Sequence, residues 1–208
     1  MPRQVVLATH NEHKVHELQQ ILGGAGLDLE VLTMSAFPEV ADVAETEVSF
    51  AGNATLKSSA VAAATGLPAL ADDSGLSVDV LGGSPGIFSA RWSGRHGGAE
   101  LSRAEKDARN LQLLLDQLAD VPDAHRGGAF RCAAALVAPG QEPVVVEGRL
   151  EGVIGRVPEG ENGFGYDPVF LPEGQERTLA QHSDEEKNAI SHRGRAFRAM
   201  VPHLRALV

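Results

Sequence analysis

The chain has 208 residues, 43% of them hydrophobic, which is enough to bury a sizeable core. Its formal net charge of −10 argues against general binding to nucleic acid, which needs a basic face, so any site for a polyanionic nucleotide must be built locally. No apolar run reaches the roughly 18 residues of a membrane-spanning helix, and the first residues lack a signal-peptide pattern. We expect a cytoplasmic protein that binds neither membranes nor nucleic acid.

In the first half of the chain, short apolar runs alternate with amphipathic segments. The predicted elements are, in order, a strand at 4–8, a helix at 12–22, a strand at 29–32 and a helix at 49–64. Gly23 and Gly24 are expected to end the first helix. Residues 69–71 and 76–80 are predicted as two short strands flanking a turn at 72–75, since Asp, Ser and Gly all favour turns.

The second half contains a predicted hairpin and three predicted helices. Ser102 and Glu105 have capping-box spacing and predict a helix start. Ser183 and Glu186 repeat that spacing before a short helix that ends near residue 192. The hairpin strands are predicted at 129–137 and 144–150, with a glycine-rich loop at 159–167 and a last helix after the second capping box. This alternation of helices and strands, with one hairpin, predicts an α/β fold built on a mixed sheet.

The segment between the first strand and the first helix is a candidate for phosphate binding. It consists of Thr9, His10, Asn11, Glu12, His13 and Lys14. A helix N-terminus presents unpaired N–H groups and the positive end of the dipole, Asn11 can cap the helix, and Lys14 adds a full charge one turn in. The segment lacks the GxxxxGK[ST] pattern of a P-loop, and taken alone it is explained better as an ordinary turn with a polar cap.

Acidic residues form the second candidate. Asp72 and Asp73 follow an apolar run, where paired carboxylates are costly unless a cation or hydrogen bonds offset their repulsion. Because Mg²⁺ prefers few carboxylates completed by water and phosphate oxygens, one or two acids would suffice. Glu45 is a candidate second metal-side carboxylate, and Lys57 is a candidate phosphate contact. The alternatives are a polar turn at 72–75 and a solvated acidic loop before an ordinary helix.

Two later segments are candidates for contact with a nucleotide base. They hold, in order, Phe164, Gly165, Tyr166, Asp167, Lys187, His192 and Arg193. In the first segment, glycines let the backbone approach a ligand and an aromatic ring can stack on a flat base. The second gathers donors near a helix junction, which suits a carbonyl-bearing base or phosphate oxygens. The alternatives are a plain glycine-rich turn with a buried Phe and a solvated helix end.

Together and in this order, these segments resemble the Ham1/RdgB family of non-canonical purine nucleoside triphosphate pyrophosphatases, also called inosine triphosphatases. The matching segments are THNEHK at 9–14, ETEVSFAGNATLKS at 45–58, LPALADDSGLSVDVLGGSPGIFSAR at 67–91, NGFGYDPVF at 162–170 and EKNAISHRGRA at 186–196. They run nearly end to end. The succession of DDSGLxVDxLxGxPG, FGYDPxF and EKNxxSHRxxA is very specific to the family.

The resemblance implies a single α/β domain over residues 1–208, elongated and two-lobed, with a mixed central sheet, flanking helices and the nucleotide in a cleft between the lobes. It implies a homodimer that uses Mg²⁺ to hydrolyse inosine, deoxyinosine and xanthosine triphosphates to the monophosphate and pyrophosphate. Asp73 would be the general base and, with Glu45, a metal-side carboxylate. The implied triphosphate contacts are residues 9–14, Lys57 and Ser74, and the implied base and sugar contacts are residues 164–167, Lys187, His192 and Arg193.

One residue departs from the family pattern, which usually has Gly at the position of His10. His lacks the backbone freedom of Gly, but its imidazole can reach a phosphate, and we expect activity to be retained. Two other functions fit parts of the sequence. A Maf-like pyrophosphatase for pyrimidine or modified nucleotides would share the chemistry, but it lacks FGYDPxF and SHR in this arrangement. A nucleotide-binding sensor without turnover would have no need of Asp73.

Overall fold

The structure is a computed structural model that describes residues 3–24, 26, 29–94 and 101–207. Within these ranges the α-helices are α1 (Glu12–Gly24), α2 (Phe50–Thr65), α3 (Arg103–Gln117), α4 (Asp184–Ile190) and α5 (His192–Arg205). The strands are β1 (Arg3–Leu7), β2 (Leu29–Thr33), β3 (Ala69–Val78), β4 (Gly127–Val137), β5 (Val144–Ile154) and β6 (Phe170–Pro172). No helix in the described ranges is long and apolar enough to cross a membrane.

The strands form one sheet in the order β2-β1-β3-β4-β5-β6. β1 runs parallel to β2 and to β3, whereas β5 and β6 are antiparallel. The α/β class and the mixed sheet predicted from the sequence are therefore confirmed. β6 escapes sequence-based prediction because it has three residues, too few to show a periodic pattern, and ends in a proline.

The helix starts follow the capping signals in the sequence. Both predicted capping boxes are present, at the starts of α3 and α4. In each, the serine hydroxyl accepts the main-chain N–H of the glutamate three residues later. The carboxylate of that glutamate in turn accepts the main-chain N–H of the serine. The first helix was predicted to end at residue 22, before Gly23 and Gly24, and α1 ends two residues later, at Gly24. Both glycines lie in its last turn, where helices fray and poor helix formers are tolerated.

The segment predicted as a turn, residues 72–75, lies instead inside one continuous strand, β3. That prediction was wrong because β3 is an inner strand of the sheet, buried along most of its length, and its pairing and burial outweigh the turn preference of Asp, Ser and Gly. Gly75 has a packing role instead. A Cβ there would lie 2.4 Å from both the Gly86 carbonyl oxygen and Ser89 Oγ, so the strand accepts no side chain at that point.

The chain divides into two compact units. The first comprises Met1–Asp73, Cys132–Gly148 and His192–Val208, and the second comprises Ser74–Arg131 and Arg149–Ser191. Strands β3, β4 and β5 contribute residues to both units. Within β3 the boundary between the units falls between Asp73 and Ser74. Asp73, the predicted catalytic acid, is therefore the last residue of β3 that belongs to the first unit.

In the first unit, helices cover both faces of the sheet. One buried cluster joins α1 and α5 to Leu70 of β3, and another joins α2 to Ala71 of the same strand. Successive side chains of a strand point to opposite faces. Asp72 therefore points with Leu70 toward α1 and α5, whereas Asp73 points with Ala71 toward α2. The alternation gives the two neighbouring acids different surroundings.

The second unit has its own core, in which leucines of α3 pack with residues of β3, β4, β5 and β6. The rings of Phe130 and Phe170 lie 4.7 Å apart, centroid to centroid, and are tilted by 59°. Tyr166 belongs to the same core, and its hydroxyl donates to the Ser89 carbonyl oxygen at 2.9 Å. This contact fixes the end of the glycine-rich loop on the core.

Candidate active site

Parallel pairing of β1 and β3 brings the first candidate segment next to the acids. β1 ends at Leu7, which lies opposite Leu70, and the Ala8 N–H donates to the Leu70 carbonyl oxygen at 2.8 Å. The chain leaving the carboxyl end of β1 therefore reaches the level of Asp72, two residues further along β3. Lys14, in the first turn of α1, completes the approach, since its Nζ lies 2.9 Å from Asp72 Oδ2.

Asp72 is buried and held by cations. Its Oδ2 contacts Arg193 Nε at 3.2 Å as well as Lys14, and its main-chain carbonyl oxygen accepts from Lys57 Nζ at 2.8 Å. Burial alone would favour the protonated acid. The attraction of Lys14, Arg193 and Lys57 outweighs it and holds the pKa of Asp72 well below its ordinary value. A carboxylate kept ionised in this way is a poor proton acceptor and serves to organise the cations around it.

Arg193 is held at its other end by Glu17, a buried residue of α1. Arg193 Nη1 lies 2.6 Å from Glu17 Oε2. Burial opposes the charged guanidinium, but Glu17 and Asp72 raise the pKa of Arg193 above its ordinary value. His192, the first residue of α5, is also buried. The contacts predicted between these two residues and a nucleotide base stay predictions.

Asp73 lies on the other face of β3, in a different setting. Lys57 Nζ is 3.8 Å from Asp73 Oδ1 and 2.8 Å from Glu45 Oε1, so two carboxylates from separate segments share one ammonium group. Asn53 Nδ2 donates to Asp73 Oδ2 at 2.9 Å. Burial raises the pKa of Asp73; Lys57 opposes this effect and Glu45 adds to it, and the pKa lies above its ordinary value. A raised pKa suits a carboxylate that accepts a proton near neutral pH.

We refer to these first-unit residues as the acid–lysine cluster, which comprises Lys14, Glu17, Glu45, Asn53, Lys57, Asp72, Asp73 and Arg193. The described ranges contain no group of three or more His, Cys, Asp or Glu residues arranged to hold a metal ion. The two carboxylates around Lys57 nevertheless fit Mg²⁺, which takes one or two carboxylates and completes its shell with water and substrate phosphates. The donor set suits a cation that arrives with phosphate, and it does not form an all-protein cage.

The rest of the segment at 9–14 forms the start of α1. Asn11 lies just before the helix; its N–H donates to Thr9 Oγ1 at 3.1 Å, and its carbonyl oxygen accepts the Val15 N–H. His10 is exposed, and its Nε2 lies 3.2 Å from Asp42 Oδ1. The side chains of Glu12 and His13 lie outside the described part of the structure. The start of α1 therefore brings Lys14 to Asp72, and the contacts predicted between this segment and phosphate stay predictions.

In the second unit, Asp167 and Lys187 form a buried ion pair. Lys187 Nζ lies 2.8 Å from Asp167 Oδ2, and the same oxygen accepts the Phe164 N–H at 2.8 Å. Gly163 has φ +74°, a conformation that favours glycine, and a Cβ there would lie 2.2 Å from Asp167 Oδ2. The glycine-rich loop is thus wrapped closely around the aspartate, and the aspartate positions the lysine.

The Phe164 ring is the partly exposed aromatic of this loop. Lys187 Nζ lies 4.7 Å from its centroid, and the guanidinium carbon of Arg103 lies 5.2 Å from it. Arg103 Nε is 3.9 Å from Asp107 Oδ2, and Asp107 accepts the Gly165 N–H. Burial raises the pKa of Asp107, against the lowering effect of Arg103. We refer to Arg103, Asp107, Phe164, Asp167 and Lys187 as the Phe164 cluster.

The structure brings about half of the predicted residues into these two clusters, and it divides the last predicted group. Lys187 belongs to the second unit, whereas His192 and Arg193 belong to the first. Tyr166 was predicted to face a base and is a core residue, so the available ring is Phe164. Ser74 is the half-buried first residue of its second-unit segment.

Four residues of the clusters had no role in the sequence-based prediction: Glu17, Asn53, Arg103 and Asp107. Helical spacing from other residues could have indicated three of them. Glu17 lies three residues after Lys14, so both share a face of α1. Asp107 lies four residues before the buried Leu111, and Arg103 lies four before Asp107. Asn53 interrupts the buried face of α2, but nothing in the sequence shows what it contacts.

Comparisons with known proteins show which family the chain belongs to. Residues 5–203 match the model of the Ham1 family. A curated protein of Streptomyces avermitilis named dITP/XTP pyrophosphatase is 58% identical over 205 residues, which cover 99% of this chain and 98% of that protein. The solved structure of a HAM1 protein from Coxiella burnetii has a TM-score of 0.85 and 39% identity, and covers 97% of this chain and 98% of that one. The Staphylococcus aureus Ham1 protein has the same TM-score at 36% identity, and covers 99% of this chain and 100% of that one.

Proposed function

Since the chain belongs to the Ham1 family, we propose that it hydrolyses non-canonical purine nucleoside triphosphates to the monophosphate and pyrophosphate, and so clears them from the nucleotide pool. The proposed substrates are the inosine, deoxyinosine and xanthosine triphosphates. The observation that carries the proposal is the sharing of Lys57 by Asp73 and Glu45, next to a lysine at a helix N-terminus. Such a group can bind a metal-bound triphosphate and take a proton from water.

Asp73 is the proposed general base. Attack of water on the α-phosphorus needs a group that accepts the proton, and the raised pKa of Asp73 in the protein without bound metal supports that role. Asp72, whose pKa is lowered, is poorly suited to the role. Magnesium held by Asp73 and Glu45 would supply neutralisation of charge on the phosphate oxygens. Lys57 keeps its own charge beside them, since Asp73, Asp72 and Glu45 raise its pKa although burial lowers it.

The triphosphate contacts are proposed at the start of α1, with Lys14 as the main cation. The helix N-terminus offers N–H donors, and Lys14 lies 2.9 Å from Asp72, which keeps the ammonium at this point of the fold. Thr9, His10, Asn11 and Ser74 are proposed as further polar contacts. Phosphate oxygens could then share Lys14 with Asp72, in the way that Asp73 and Glu45 share Lys57.

The base is proposed to meet the Phe164 ring and the Lys187 ammonium, both of which belong to the second unit. A flat purine can stack on an aromatic ring, and an ammonium or guanidinium can donate to the 6-oxo group of hypoxanthine or xanthine. Adenine carries a 6-amino group at that position, so its N–H donor would face the donor of the protein. The unmade hydrogen bond would cost about 1–3 kcal/mol of binding free energy. Guanine also has a 6-oxo group, and its exclusion must depend on the 2-position. The homodimer implied by the resemblance and the cytoplasmic location expected from the sequence also stay predictions.

The test is pyrophosphate release by the purified protein with Mg²⁺, using inosine, xanthosine, adenosine and guanosine triphosphates side by side. We expect strong turnover of the first two and its loss when EDTA is added. Equal turnover of all four would keep the reaction and refute the selectivity. Binding without turnover of any of them would refute the reaction and favour a nucleotide sensor.

A further inference from the structure

Asn53 is the polar residue that touches Asp73 from α2. It is completely buried, in a helix whose other buried residues are Phe50, Ala54, Ser58, Val61 and Ala62. A buried carboxamide costs free energy unless both its ends are hydrogen-bonded. Here both ends are bonded: Nδ2 donates to Asp73 Oδ2 at 2.9 Å, and Oδ1 accepts the main-chain N–H of Glu47 at 3.0 Å.

The direction of these bonds is fixed by chemistry. A main-chain N–H can only donate, so the carboxamide oxygen must face Glu47 and the amino group must face Asp73. With Oδ2 engaged in this way, the second carboxylate oxygen of Asp73 is the one nearest to Lys57, at 3.8 Å. The main-chain N–H of Glu47 therefore fixes the orientation of the Asn53 amide, and the amide in turn orients the Asp73 carboxylate.

The other end of the carboxamide holds the segment that carries Glu45. Glu47 lies two residues after Glu45, and the segment is packed closely on the first turn of α2, where a Cβ on Gly52 would lie 2.7 Å from Glu47 Cβ. Ser49 caps the same turn by accepting the Gly52 N–H at 3.0 Å. One side chain thus joins the strand of the first metal-side carboxylate to the loop of the second.

We propose that Asn53 is a positioning residue for the proposed hydrolysis, one that orients the Asp73 carboxylate and fixes its spacing from Glu45 without touching the nucleotide. The inference rests on the proposed function for the roles of the two acids. It extends that function by assigning the geometry of the pair to a residue outside the set of acids and lysines. Residues that orient metal-side carboxylates commonly affect activity or metal affinity by about 10–100-fold.

The test compares two substitutions at this position. Asn53→Asp keeps an acceptor for the Glu47 N–H and, when ionised, loses the donor to Asp73, whereas Asn53→Leu keeps a side chain branched at Cγ, although a larger one, and loses both bonds. Ser58→Ala is the matched control, because Ser58 is equally buried on α2 and its hydroxyl donates to the Ala54 carbonyl oxygen of the same helix. Each protein is assayed for kcat and KM with inosine triphosphate, and for the Mg²⁺ concentration that gives half-maximal stabilisation against thermal unfolding.

We expect both Asn53 variants to lose turnover by about 10–100-fold and to need more Mg²⁺, with KM within about threefold of wild type. Ser58→Ala should keep wild-type kinetics and the wild-type Mg²⁺ response. An Asn53→Asp protein with turnover and Mg²⁺ demand within about twofold of wild type would overturn the inference, since the acceptor alone would then suffice. If Asn53→Leu fails to fold, Asn53→Asp still decides.

The two proposals fail in different ways. Absence of turnover in the wild-type protein refutes the proposed function. The Mg²⁺ titration of thermal unfolding then decides the inference alone, because weaker Mg²⁺ stabilisation in Asn53→Asp supports positioning and an unchanged response overturns it. Turnover in wild type together with unchanged Asn53→Asp refutes only the inference.

Discussion

The acid–lysine cluster and the Phe164 cluster both contain buried lysine–aspartate pairs, but their charges balance differently. In the first, the four carboxylates of Glu17, Glu45, Asp72 and Asp73 face the three cations of Lys14, Lys57 and Arg193. In the second, two carboxylates face two cations around an aromatic ring. The excess of acid in the first cluster favours an added cation, whereas the second offers a ring and fixed donors.

This difference in charge balance fits two tasks of the proposed reaction. A triphosphate carries high negative charge and needs metal and lysine, so it suits a cluster in which carboxylates outnumber cations and can take up a metal ion. A base is flat and neutral, and its recognition depends on stacking and on donors that are held still. Lys187 is held still by Asp167, and that aspartate is itself fixed by the Phe164 N–H. Substitutions in the two clusters should therefore affect different measurable quantities.

The largest expected effect is on turnover, in the acid–lysine cluster. Asp73→Asn should lower kcat by about 10²–10⁴-fold, because it removes the proposed proton acceptor and keeps the side-chain shape. Nucleotide affinity should be kept, since Lys14 and the helix N-terminus are untouched. Stopped assays with inosine triphosphate give kcat, and calorimetry gives the affinity. Full activity in this variant would remove Asp73 from the mechanism.

The next largest effect is on stability, in the Phe164 cluster. Asp167→Asn leaves the Lys187 ammonium buried without its carboxylate and should lower the free energy of unfolding by about 3–5 kcal/mol. Glu151→Gln is the control, because its partner Arg149 is half-exposed and such pairs contribute about 0–1 kcal/mol. Urea denaturation measures both. Equal losses in the two variants would contradict the account of Lys187 as a fixed donor.

A smaller effect is expected on substrate affinity. Phe164→Ala should raise KM for inosine triphosphate about tenfold with little change in kcat, because base–aromatic stacking contributes about 1–3 kcal/mol. Phe88→Ala is a matched control, since Arg91 lies over the Phe88 ring at the same 5.2 Å as Arg103 over Phe164. If both variants raise KM equally, the effect comes from the arginine contact and not from stacking.

The smallest effect concerns pH and follows from the raised pKa of Asp73. An acid whose pKa is higher in the folded state destabilises that state when ionised. The penalty is absent below the unfolded pKa of about 4, where both states are protonated, and it is fully present above the folded pKa. Without metal, Asp73→Asn should therefore unfold at higher urea than wild type at pH 7, and this gain should vanish toward pH 3. A gain of equal size at both pH values would show that ionisation is not its cause.

Helices α3 and α4 were predictable because their starts carry capping boxes, and α1 was predictable because its apolar residues recur at helical spacing. Lys14, Glu45, Lys57, Asp72 and Asp73 of the acid–lysine cluster could be identified from the sequence. They lie in the segments at 9–14, 45–58 and 67–91, which match the pattern of the family. The strand through residues 72–75 was not predictable, because local turn preference gives no sign that β3 is an inner strand. Tertiary burial overrode local preference at that point.

Partners within the clusters were harder to predict than the residues themselves. Glu17 and Asn53 are separated from their partners by 176 and 20 residues along the chain, so no local spacing shows these pairings. Nothing in the sequence indicates that Lys187 and Arg193, which are six residues apart, belong to different units. The different surroundings of Asp72 and Asp73 likewise depend on which face of β3 each occupies.

The continuity of β3 also bears on how the gene can change. A loop accepts insertions and deletions, whereas adding or removing one residue in a buried strand turns every later side chain to the opposite face. A deletion just before Asp72 would move Asp73 into the place of Asp72, where it would face Lys14 and Arg193, and would put Ser74 in the place of Asp73, beside Lys57. Over this stretch the protein can vary by substitution but not by length, because the different surroundings of Asp72 and of Asp73, the proposed general base, depend on whether each residue occupies an even or an odd position of the strand.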